Sequence, residues 1–329
     1  MKAAVRPLAA NVYLDSYLAP IAPYLARKDV TDIFVNRPGE VWLETLSGAS
    51  ERCDAPELTR EVLLRLVRQI AAVSAQGINR EHPLLAASLP DGERVQVVIA
   101  PATRGETALA IRKHVVANMA LDDYRSGGAA DNTRMLTGIA ANQTPAAMKP
   151  EDDPLGMLRD AVLARRNILI SGGTSSGKTT FVNALLREIP REERLIVIED
   201  TPELHLVHDN AVGLIAARDV LSEAEVSAED LLIASLRMRP DRIILGEIRG
   251  REALTFLRAV NTGHPGSITT IHADTPHRAI DQLALLTLQA GLAMAWDDVV
   301  KYIRSSLDII VQLKRGGGKR TIDSILMLR

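Results

Sequence analysis

The sequence predicts an α/β protein in two parts, a smaller α+β region followed by a larger region built on a mostly parallel sheet. Two observations support this prediction. From residue 154 onward, short apolar runs alternate with segments of helical periodicity, which is typical of parallel strands covered by helices on both faces. Before residue 124, strand pairs joined by short turns are interleaved with isolated helices, as in antiparallel α+β folds.

The larger region begins with a predicted helix that Asp153 caps and in which Pro154 takes the first position. Strands are predicted at 167–171, 195–199, 212–216, 242–245, 267–271 and 308–313. Helices are predicted at 178–188, 228–238, 250–261, 276–290 and 297–305. A GGGKR turn then leads into a last strand, TIDSILML. This alternation predicts a sheet whose ligands bind at the carboxyl ends of the strands.

The smaller region shows shorter elements. Residues 11–27 are predicted to form short helices interrupted by prolines, and TDIFVNRPGEVWLE forms a hairpin with a Pro-Gly turn. Apolar residues at helical spacing predict a helix over 58–75. A Pro-Asp-Gly turn at 90–92 and a strand at 108–115 complete an α+β domain.

Residues 125–153 differ in character from both regions. They are small and polar, rich in Gly, Ala and Asn, and show little sustained periodicity. They are predicted to form a long flexible linker that holds a short helix at 134–141. The predicted domain boundaries are therefore 1–124 for the first domain and 154–329 for the second.

Composition excludes several classes of protein. Aromatic residues make up 3% of the 329 residues and the net charge is −2, which disfavours a base-stacking or strongly basic nucleic-acid-binding surface. Cys53 is the only cysteine, so no intramolecular disulfide can form and a reducing compartment is expected. The N-terminus lacks a continuous apolar signal segment, and the apolar stretch 282–296 is too short and interrupted to span a bilayer. The sequence thus predicts a cytoplasmic protein.

A phosphate-binding loop follows the first strand of the larger region. The motif G-x-x-x-x-G-K-T lies between a predicted strand and a predicted helix, the context that this motif requires. The expected phosphate-binding residues are Gly172, Gly173, Thr174, Ser175, Ser176, Gly177, Lys178, Thr179 and Thr180. Backbone amides and the helix N-terminus would hold phosphate, Lys178 would bind the β- and γ-phosphates, and Thr179 would bind Mg²⁺.

Hydrolysis requires further groups beside the phosphate-binding loop. Carboxylates follow two predicted strands, in IEDTPE, which includes Glu203, and in LGE, which ends at Glu247. Histidines flank a third strand, since His264 precedes it and His272 follows it, and both are expected to converge on the nucleotide. The remaining histidines in this region, His205, His208 and His277, are predicted to lie on the surface.

Four segments in this order carry a resemblance to a known family. GGTSSGKT, IEDTPEL, LRMRPDRIILGEIRG and GHPGSITTIHAD resemble the Walker A, Asp, Walker B and His boxes of the secretion-ATPase superfamily. Within it, the chain most resembles the VirB-type traffic ATPases of bacterial type IV secretion systems, with support from TDIFVNRPGEVWLE, SLPDGERVQVVIAPA and AIRKH. The resemblance covers nearly the whole chain, apart from the first residues and the linker.

The resemblance implies a ring of six subunits, each with a PAS-like N-terminal domain and a RecA-like motor that hydrolyses ATP with Mg²⁺. By this likeness Glu247 polarises the attacking water, Glu203 is the Asp-box glutamate, and His264 and His272 form the His-box pair. Arg112, in AIRKH, resembles an N-terminal-domain arginine that reaches the nucleotide. No aspartate follows the RIIL strand, so Glu247 is expected to contact Mg²⁺ through water.

The family also implies other secretion-system components as partners, at the cytoplasmic face of the inner membrane, and no sequence-specific contact with nucleic acid. The long linker departs from the shorter connections of many relatives, which raises the hypothesis of a domain swap between neighbouring subunits. Three alternatives stay open: a pilus assembly or retraction ATPase, a scaffold that binds nucleotide without turnover, and a strand-exchange or helicase-type DNA motor.

Four arginines surround the RIIL strand. Arg237 and Arg239 precede the strand, so they are expected at the end opposite Glu247, where they would reach a neighbouring subunit's phosphate or acidic side chain. Arg249 follows Glu247 and is expected near the nucleotide of its own subunit. Arg242 is predicted to form a structural ion pair, for instance with Asp241 or with another acidic residue.

Overall fold

The computed structural model of the chain describes residues 8–113, 119–137, 153–216, 226–316 and 319–328. These residues form two compact units. The described residues up to 113 make up the first unit, and those from 119 onward make up the second.

The first unit is an α+β fold with one antiparallel sheet. Its elements are α1 (Leu8–Leu18), α2 (Ala22–Ala26), β1 (Val30–Val35), β2 (Gly39–Thr45), β3 (Ser50–Ala55), α3 (Arg60–Val73), β4 (Leu84–Ser88), β5 (Arg94–Ile99) and β6 (Thr107–Arg112). The strand order is β3-β2-β1-β6-β5-β4. Thr59 caps α3 by accepting a hydrogen bond from the Val62 amide, and the apolar stripe of α3 is buried, as its spacing predicted.

The second unit contains the larger sheet. Its elements are α4 (Leu121–Ser126), β7 (Arg134–Thr137), α5 (Pro154–Leu163), β8 (Ile168–Gly172), α6 (Lys178–Leu186), β9 (Leu195–Glu199), β10 (Ala211–Ile215), α7 (Ala228–Ser235), β11 (Arg242–Leu245), α8 (Glu252–Asn261), β12 (Ile268–Ile271), α9 (Pro276–Gln289), α10 (Trp296–Ser306), β13 (Ile309–Gly316) and β14 (Lys319–Met327). The strand order is β10-β9-β11-β12-β8-β13-β14-β7. All neighbours are parallel except β13 and β14, which form an antiparallel hairpin.

Hydrophobic cores lie on both faces of this sheet. Every residue of β8, β9, β11 and β12 is buried, which explains why these strands read as continuous apolar runs rather than alternating ones. Two clusters of buried side chains, one around Phe181 and one around Phe256, pack against them. The mostly parallel α/β architecture predicted for this region is confirmed.

Capping side chains define the first residues of two helices. Asp153 accepts a hydrogen bond from the Gly156 amide at 2.9 Å, with Pro154 as the first residue of α5. Ser227 and Asp230 form a reciprocal capping box at the start of α7. The cap by Asp153 was predicted, whereas α7 ends at Ser235 and is therefore shorter than the predicted helix over 228–238.

Residues within the predicted linker take on regular structure in the second unit. The short helix predicted over 134–141 is wrong for its first part, because Arg134–Thr137 form the strand β7, which pairs in parallel with β14. Met135 packs against one core cluster and Leu136 against the other. In a strand, successive side chains point to opposite faces of the sheet, so both residues are placed against a core. Residues 138–141 lie outside the described residues, and the predicted domain boundaries stay a prediction.

Two further predictions concern surface and membrane. His208 is 5% exposed and its Nε2 donates to the Ile189 carbonyl at 3.0 Å, so the prediction that it lies on the surface is wrong.

Within the described ranges, no helix combines the length and apolar character needed to cross a membrane. The apolar stretch 282–296 is divided between α9, which ends at Gln289, and α10, which begins at Trp296.

Candidate nucleotide-binding site

The site lies where four parallel strands end. Since β9, β11, β12 and β8 are consecutive neighbours in the sheet, the residues that follow them meet at one edge. The phosphate-binding loop follows β8, Glu199 ends β9, and Glu247 and His272 follow β11 and β12. The sheet therefore brings together groups that are up to about 100 residues apart in the sequence.

The phosphate-binding loop curls through two residues with left-handed backbone. Ser175 has a φ of 59° and Gly177, which precedes the first residue of α6, has a φ of 94°. A Cβ at Gly172 would lie 2.4 Å from the Ser176 hydroxyl and 3.0 Å from the Leu313 carbonyl, so only glycine fits there. The Ser176 hydroxyl is buried and has no hydrogen-bond partner within the described residues, which suits a loop built to receive polar ligand atoms.

Lys178 folds back over the loop. Its Nζ donates to the carbonyls of Gly172 at 2.9 Å and Gly173 at 3.4 Å, and it lies 3.2 Å from Nδ1 of His272. The pKa of Lys178 is lowered to about 8, chiefly by burial; Glu247 opposes this shift, and the positive charge of Arg249 adds to it. A buried ammonium whose acceptors are neutral carbonyls and an imidazole gains strongly from a nearby anion.

Glu247 is held by two side chains. Arg249 donates through Nε to Oε1 of Glu247 at 2.9 Å, and His272 Nε2 lies 3.2 Å from the same oxygen. Burial raises the pKa of Glu247, but the hydrogen bond from Arg249 and the positive charges around it outweigh burial, so the net pKa is lowered. The carboxylate is consequently ionised at neutral pH.

His272 connects the lysine to the glutamate. Burial lowers the pKa of His272, and this outweighs the opposing charge of Glu247. A neutral ring with its proton on Nε2 satisfies both contacts, since Nε2 then donates to Glu247 while Nδ1 accepts from Lys178. The ring lies between a cation and an anion without carrying charge itself.

The end of β9 adds a second acidic group to this site. Asp200 Oδ2 accepts from Arg249 at 2.9 Å, so the guanidinium bridges Asp200 and Glu247. Neither the role of Asp200 nor the bridge was predicted; the signal was an aspartate directly after a buried strand. Lys178, His272, Glu247, Arg249 and Asp200 thus form a continuous series of contacts, termed here the charge network.

The predicted residue Glu203 belongs to the neighbouring loop. The Glu199 carboxylate is buried and accepts from the amides of Glu203 and Leu204, each at 2.8 Å. A Cβ at Gly246 would lie 3.4 Å from Cγ of Glu199, which places that carboxylate directly beside the β11 end. Glu199 therefore fixes the backbone that carries Glu203, which is half-buried.

His264 does not join the charge network within this chain. It precedes β12, so it lies at the opposite edge of the sheet from His272, and its Nδ1 contacts the Ala259 carbonyl at 3.2 Å. Seven residues separate the two histidines, and the four of them that form β12 alone span about 13 Å. The prediction that both converge on one nucleotide within the subunit is wrong, because parallel strands carry preceding and following residues to opposite edges.

The arginines around β11 separate into buried and exposed groups. Arg242 is 0% exposed and donates to both carboxylate oxygens of Glu193, at 2.6 and 2.9 Å, and to the Val162 carbonyl at 2.7 Å. The prediction of a structural ion pair is confirmed, although the partner is Glu193 and not Asp241. Arg237 and Arg239 are exposed at the same edge, and neither side chain has a partner among the residues that the structure describes.

Arg112 lies at the end of β6 in the first unit. Its Nε donates to Oδ1 of Asp32 at 2.8 Å, across the pairing of β1 and β6. About half of the Arg112 side chain is exposed. The guanidinium therefore retains N–H groups that can donate to another acceptor.

The comparisons with known proteins agree with this site. A family model described as type II/IV secretion system protein matches residues 15–317. The type IV secretion system protein VirB11 of Bartonella quintana is 37% identical over 324 residues, covering 94% of this chain and 91% of that protein. The type IV secretion system protein PtlH of Bordetella pertussis is 38% identical over 321 residues, covering 93% and 91%.

A solved structure supports the fold of the second unit. The pilus retraction motor PilT with bound ADP has a TM-score of 0.60 and 20% sequence identity, and it covers 95% of this chain and 82% of that chain. At this identity the likeness is one of fold, and it supports the predicted RecA-like architecture, while the PAS-like type of the first unit stays a prediction. By the extent of the family match and of its relatives, the chain belongs to the type II/IV secretion system protein family.

Proposed function

We propose that this chain is an ATP-hydrolysing motor of a type IV secretion system. The observation that carries the proposal is the contact between the phosphate-binding loop and a partly buried carboxylate, in which His272 joins Lys178 to Glu247. Relatives named VirB11 and PtlH, which are type IV secretion system proteins, support the assignment to that system.

Phosphate binding would use the loop and Lys178. The amides at the start of α6 would hold the phosphates, and Lys178 Nζ would exchange the Gly172 carbonyl for β- and γ-phosphate oxygens. This exchange replaces neutral acceptors with anionic ones, so it is favourable for a cation that burial has destabilised. The lysine then neutralises charge on the transferred group.

Water activation would fall to Glu247. Its lowered pKa keeps it ionised, so it accepts a hydrogen bond from water and orients one lone pair of that water toward the γ-phosphorus. The water oxygen forms the new P–O bond and the bond to the bridging oxygen breaks, which gives ADP and phosphate. One proton of the water stays on the phosphate and the other is released to solvent. His272, neutral and within reach of both groups, would keep the carboxylate beside the phosphates.

The residues also fit a magnesium ion. Thr179 is the second residue of α6 and directly follows Lys178, where a hydroxyl can ligate a metal bound to the β- and γ-phosphates. Glu247 would contact it through water. A bound Mg²⁺ neutralises charge on the phosphates and supplies Lewis-acid stabilisation.

Several predicted residues lie outside the charge network, and we propose that they act in a homohexamer. Arg237 and His264, at the opposite edge of the sheet, would face a neighbouring subunit, and Arg112 would donate to the nucleotide through its remaining N–H groups. We further propose that the ring works at the cytoplasmic face of the inner membrane with other secretion-system components, and that it binds no specific nucleic-acid sequence.

Steady-state hydrolysis of ATP by the wild type and by Lys178→Ala tests the proposal. The motor assignment predicts Mg²⁺-dependent phosphate release by the wild type and loss of that release in the variant. Equal and negligible rates in both proteins, together with retained ATP binding by the wild type, would instead favour a nucleotide-binding scaffold. Light scattering with and without ATP measures whether six copies assemble.

A further inference from the structure

The β13–β14 hairpin contacts the phosphate-binding loop, and it lies outside the four segments that resemble the Walker A, Asp, Walker B and His boxes. β13 pairs in parallel with β8, and Leu313 lies opposite Gly172, the last residue before the loop curls. The hairpin pairs that follow Leu313, from Lys314 with Thr321 to Gly316 with Lys319, therefore extend past the same sheet edge as the loop. Arg320, the second residue of β14, lies in this projecting part and beyond the residues that the family model matches.

Arg320 contacts the two residues of the loop that have left-handed backbone. Its Nε donates to the Ser175 carbonyl at 3.3 Å. A Cβ placed on Gly177 would lie 3.0 Å from Cδ of Arg320, so the aliphatic part of the side chain packs directly on that glycine. Ser175 has a φ of 59°, a conformation that a non-glycine residue adopts only at a cost.

The hydrogen bond to Ser175 fixes the orientation of a peptide plane. In a trans peptide, the carbonyl of one residue and the amide N–H of the next point in opposite directions. A donor that holds the Ser175 carbonyl outward therefore holds the Ser176 N–H inward, and that N–H indeed donates to the Gly173 carbonyl within the loop at 3.3 Å. Inward amides are the groups that a phosphate-binding loop presents to its ligand.

Arg320 also brings a positive charge, and no acidic side chain in the described part of the chain forms an ion pair with it. Across the ranges that the structure describes, the ion pairs of the hairpin include one between Lys314 and Asp323 at 4.0 Å, whereas none includes Arg320. The Arg320 side chain is exposed, and its contact at Ser175 uses one of five N–H donors. The remaining donors lie beside a loop whose ligand is expected to carry several negative charges.

We propose that Arg320 is a positioning residue for nucleotide binding, which holds the strained phosphate-binding loop with its amides inward and adds a positive charge beside it. This role rests on the proposed nucleotide binding and deepens it, because Arg320 lies outside the four segments that resemble the boxes of the secretion-ATPase superfamily. The hairpin thereby couples the far C-terminal strand of the sheet to the loop. Because the contact is to the loop backbone, it acts on ADP and ATP alike.

Nucleotide affinity of matched variants tests this role. The variants are Arg320→Ala, Arg320→Lys, and Lys319→Ala as control, since Lys319 neighbours Arg320 on β14, is also exposed, and points to the other face of the hairpin. Binding of fluorescent ADP and ATP analogues gives the dissociation constants, and steady-state hydrolysis separates kcat from KM. Thermal unfolding without nucleotide checks that each variant is folded.

The expected result is an affinity for both nucleotides that is about three- to tenfold weaker in Arg320→Ala, with KM raised and kcat at saturation nearly unchanged. Arg320→Lys keeps the charge and part of the aliphatic packing but lacks Nε, so it recovers part of the loss. Lys319→Ala stays within about twofold of the wild type. If Arg320→Ala does not fold, the comparison of Arg320→Lys with Lys319→Ala decides.

The inference is overturned if the Arg320 variants bind both nucleotides within twofold of the wild type, or if only kcat falls. Failure of the proposed function itself looks different, because then the wild type shows no nucleotide binding that Lys178→Ala removes. A loss confined to ATP would place Arg320 at the γ-phosphate and would also contradict the positioning role stated here.

Discussion

The two ends of strand β11 use arginine in opposite ways. At its amino end, Arg242 is fully buried, bonded to both oxygens of Glu193 and to a backbone carbonyl. At its carboxyl end, Arg249 is 40% exposed and is shared between Glu247 and Asp200. The four-residue strand β11 begins at the closed ion pair and leads directly into the segment that carries the open network.

The difference shows which charges are available for function. Arg242 has saturated partners, and Gly266 at a φ of 81° leaves the space it needs, since a Cβ there would lie 2.7 Å from its Nη1. Such a pair cannot exchange partners without leaving a charge buried. The charge network around Glu247 has partly exposed members, so an incoming phosphate can replace existing contacts at little cost. The first arrangement maintains the fold, and the second binds a ligand.

The largest expected effect is on stability, at the closed end. Arg242→Ala leaves Glu193 buried without its partner and is expected to cost about 3–5 kcal/mol in the free energy of unfolding. Urea unfolding measures the loss. Arg237→Ala, which removes an exposed arginine at the same edge, is the matched control and should change stability by less than about 0.5 kcal/mol.

A double replacement sharpens the same comparison. Arg242→Met combined with Glu193→Leu removes both charges and keeps comparable volume, so it should recover most of the stability that Arg242→Ala loses. If the double variant were as unstable as the single one, the loss would come from packing around Gly266 rather than from an unpaired charge.

The next largest effect is on catalysis, at the open end. Glu247→Gln keeps the shape of the side chain but removes the charge that orients water, and kcat is expected to fall by about 100- to 1000-fold. Nucleotide affinity should change little, because Lys178 and the loop amides remain. A variant with wild-type kcat would exclude Glu247 as the water-orienting group.

A smaller effect concerns the pH dependence of hydrolysis. Activity that needs ionised Glu247 is retained above the pKa of that carboxyl and is lost as pH falls through it. Arg249→Ala removes the main group that lowers this pKa, so burial dominates and the pKa rises. The acid limb of the kcat profile should therefore move to higher pH. An unchanged limb, measured across pH 5 to about 8, would show that Arg249 does not control Glu247.

The sequence predicted those features of the site and of β11 that depend on a local sequence pattern. The phosphate-binding loop, Glu247 and His272 follow strands whose apolar runs are unmistakable, so their common edge could be inferred. The ion pair of Arg242 followed from the cost of burying a guanidinium, although Glu193, 49 residues away, could not be identified as its partner.

The parts that failed depend on tertiary pairing. β7 is four residues long and becomes a strand because the edge of β14 is open to it, which no local propensity encodes. Arg320 reaches Ser175 across 145 residues through the pairing of β13 with β8 and β14. His264 was predicted at the site because it flanks the same strand as His272 and resembles the other member of a His-box pair, although that strand separates the two residues.

On nucleotide binding, Lys178 is proposed to exchange the Gly172 carbonyl for phosphate oxygens. Calorimetry of ADP binding tests this exchange most directly. At pH 8, near its pKa of about 8, Lys178 is partly unprotonated, and a phosphate partner should raise that pKa. Binding measured in two buffers of different ionisation enthalpy should therefore show uptake of about half a proton. Lys178→Arg, which stays charged throughout, should show no such uptake. Equal proton uptake by both proteins, or none by the wild type, would contradict the account.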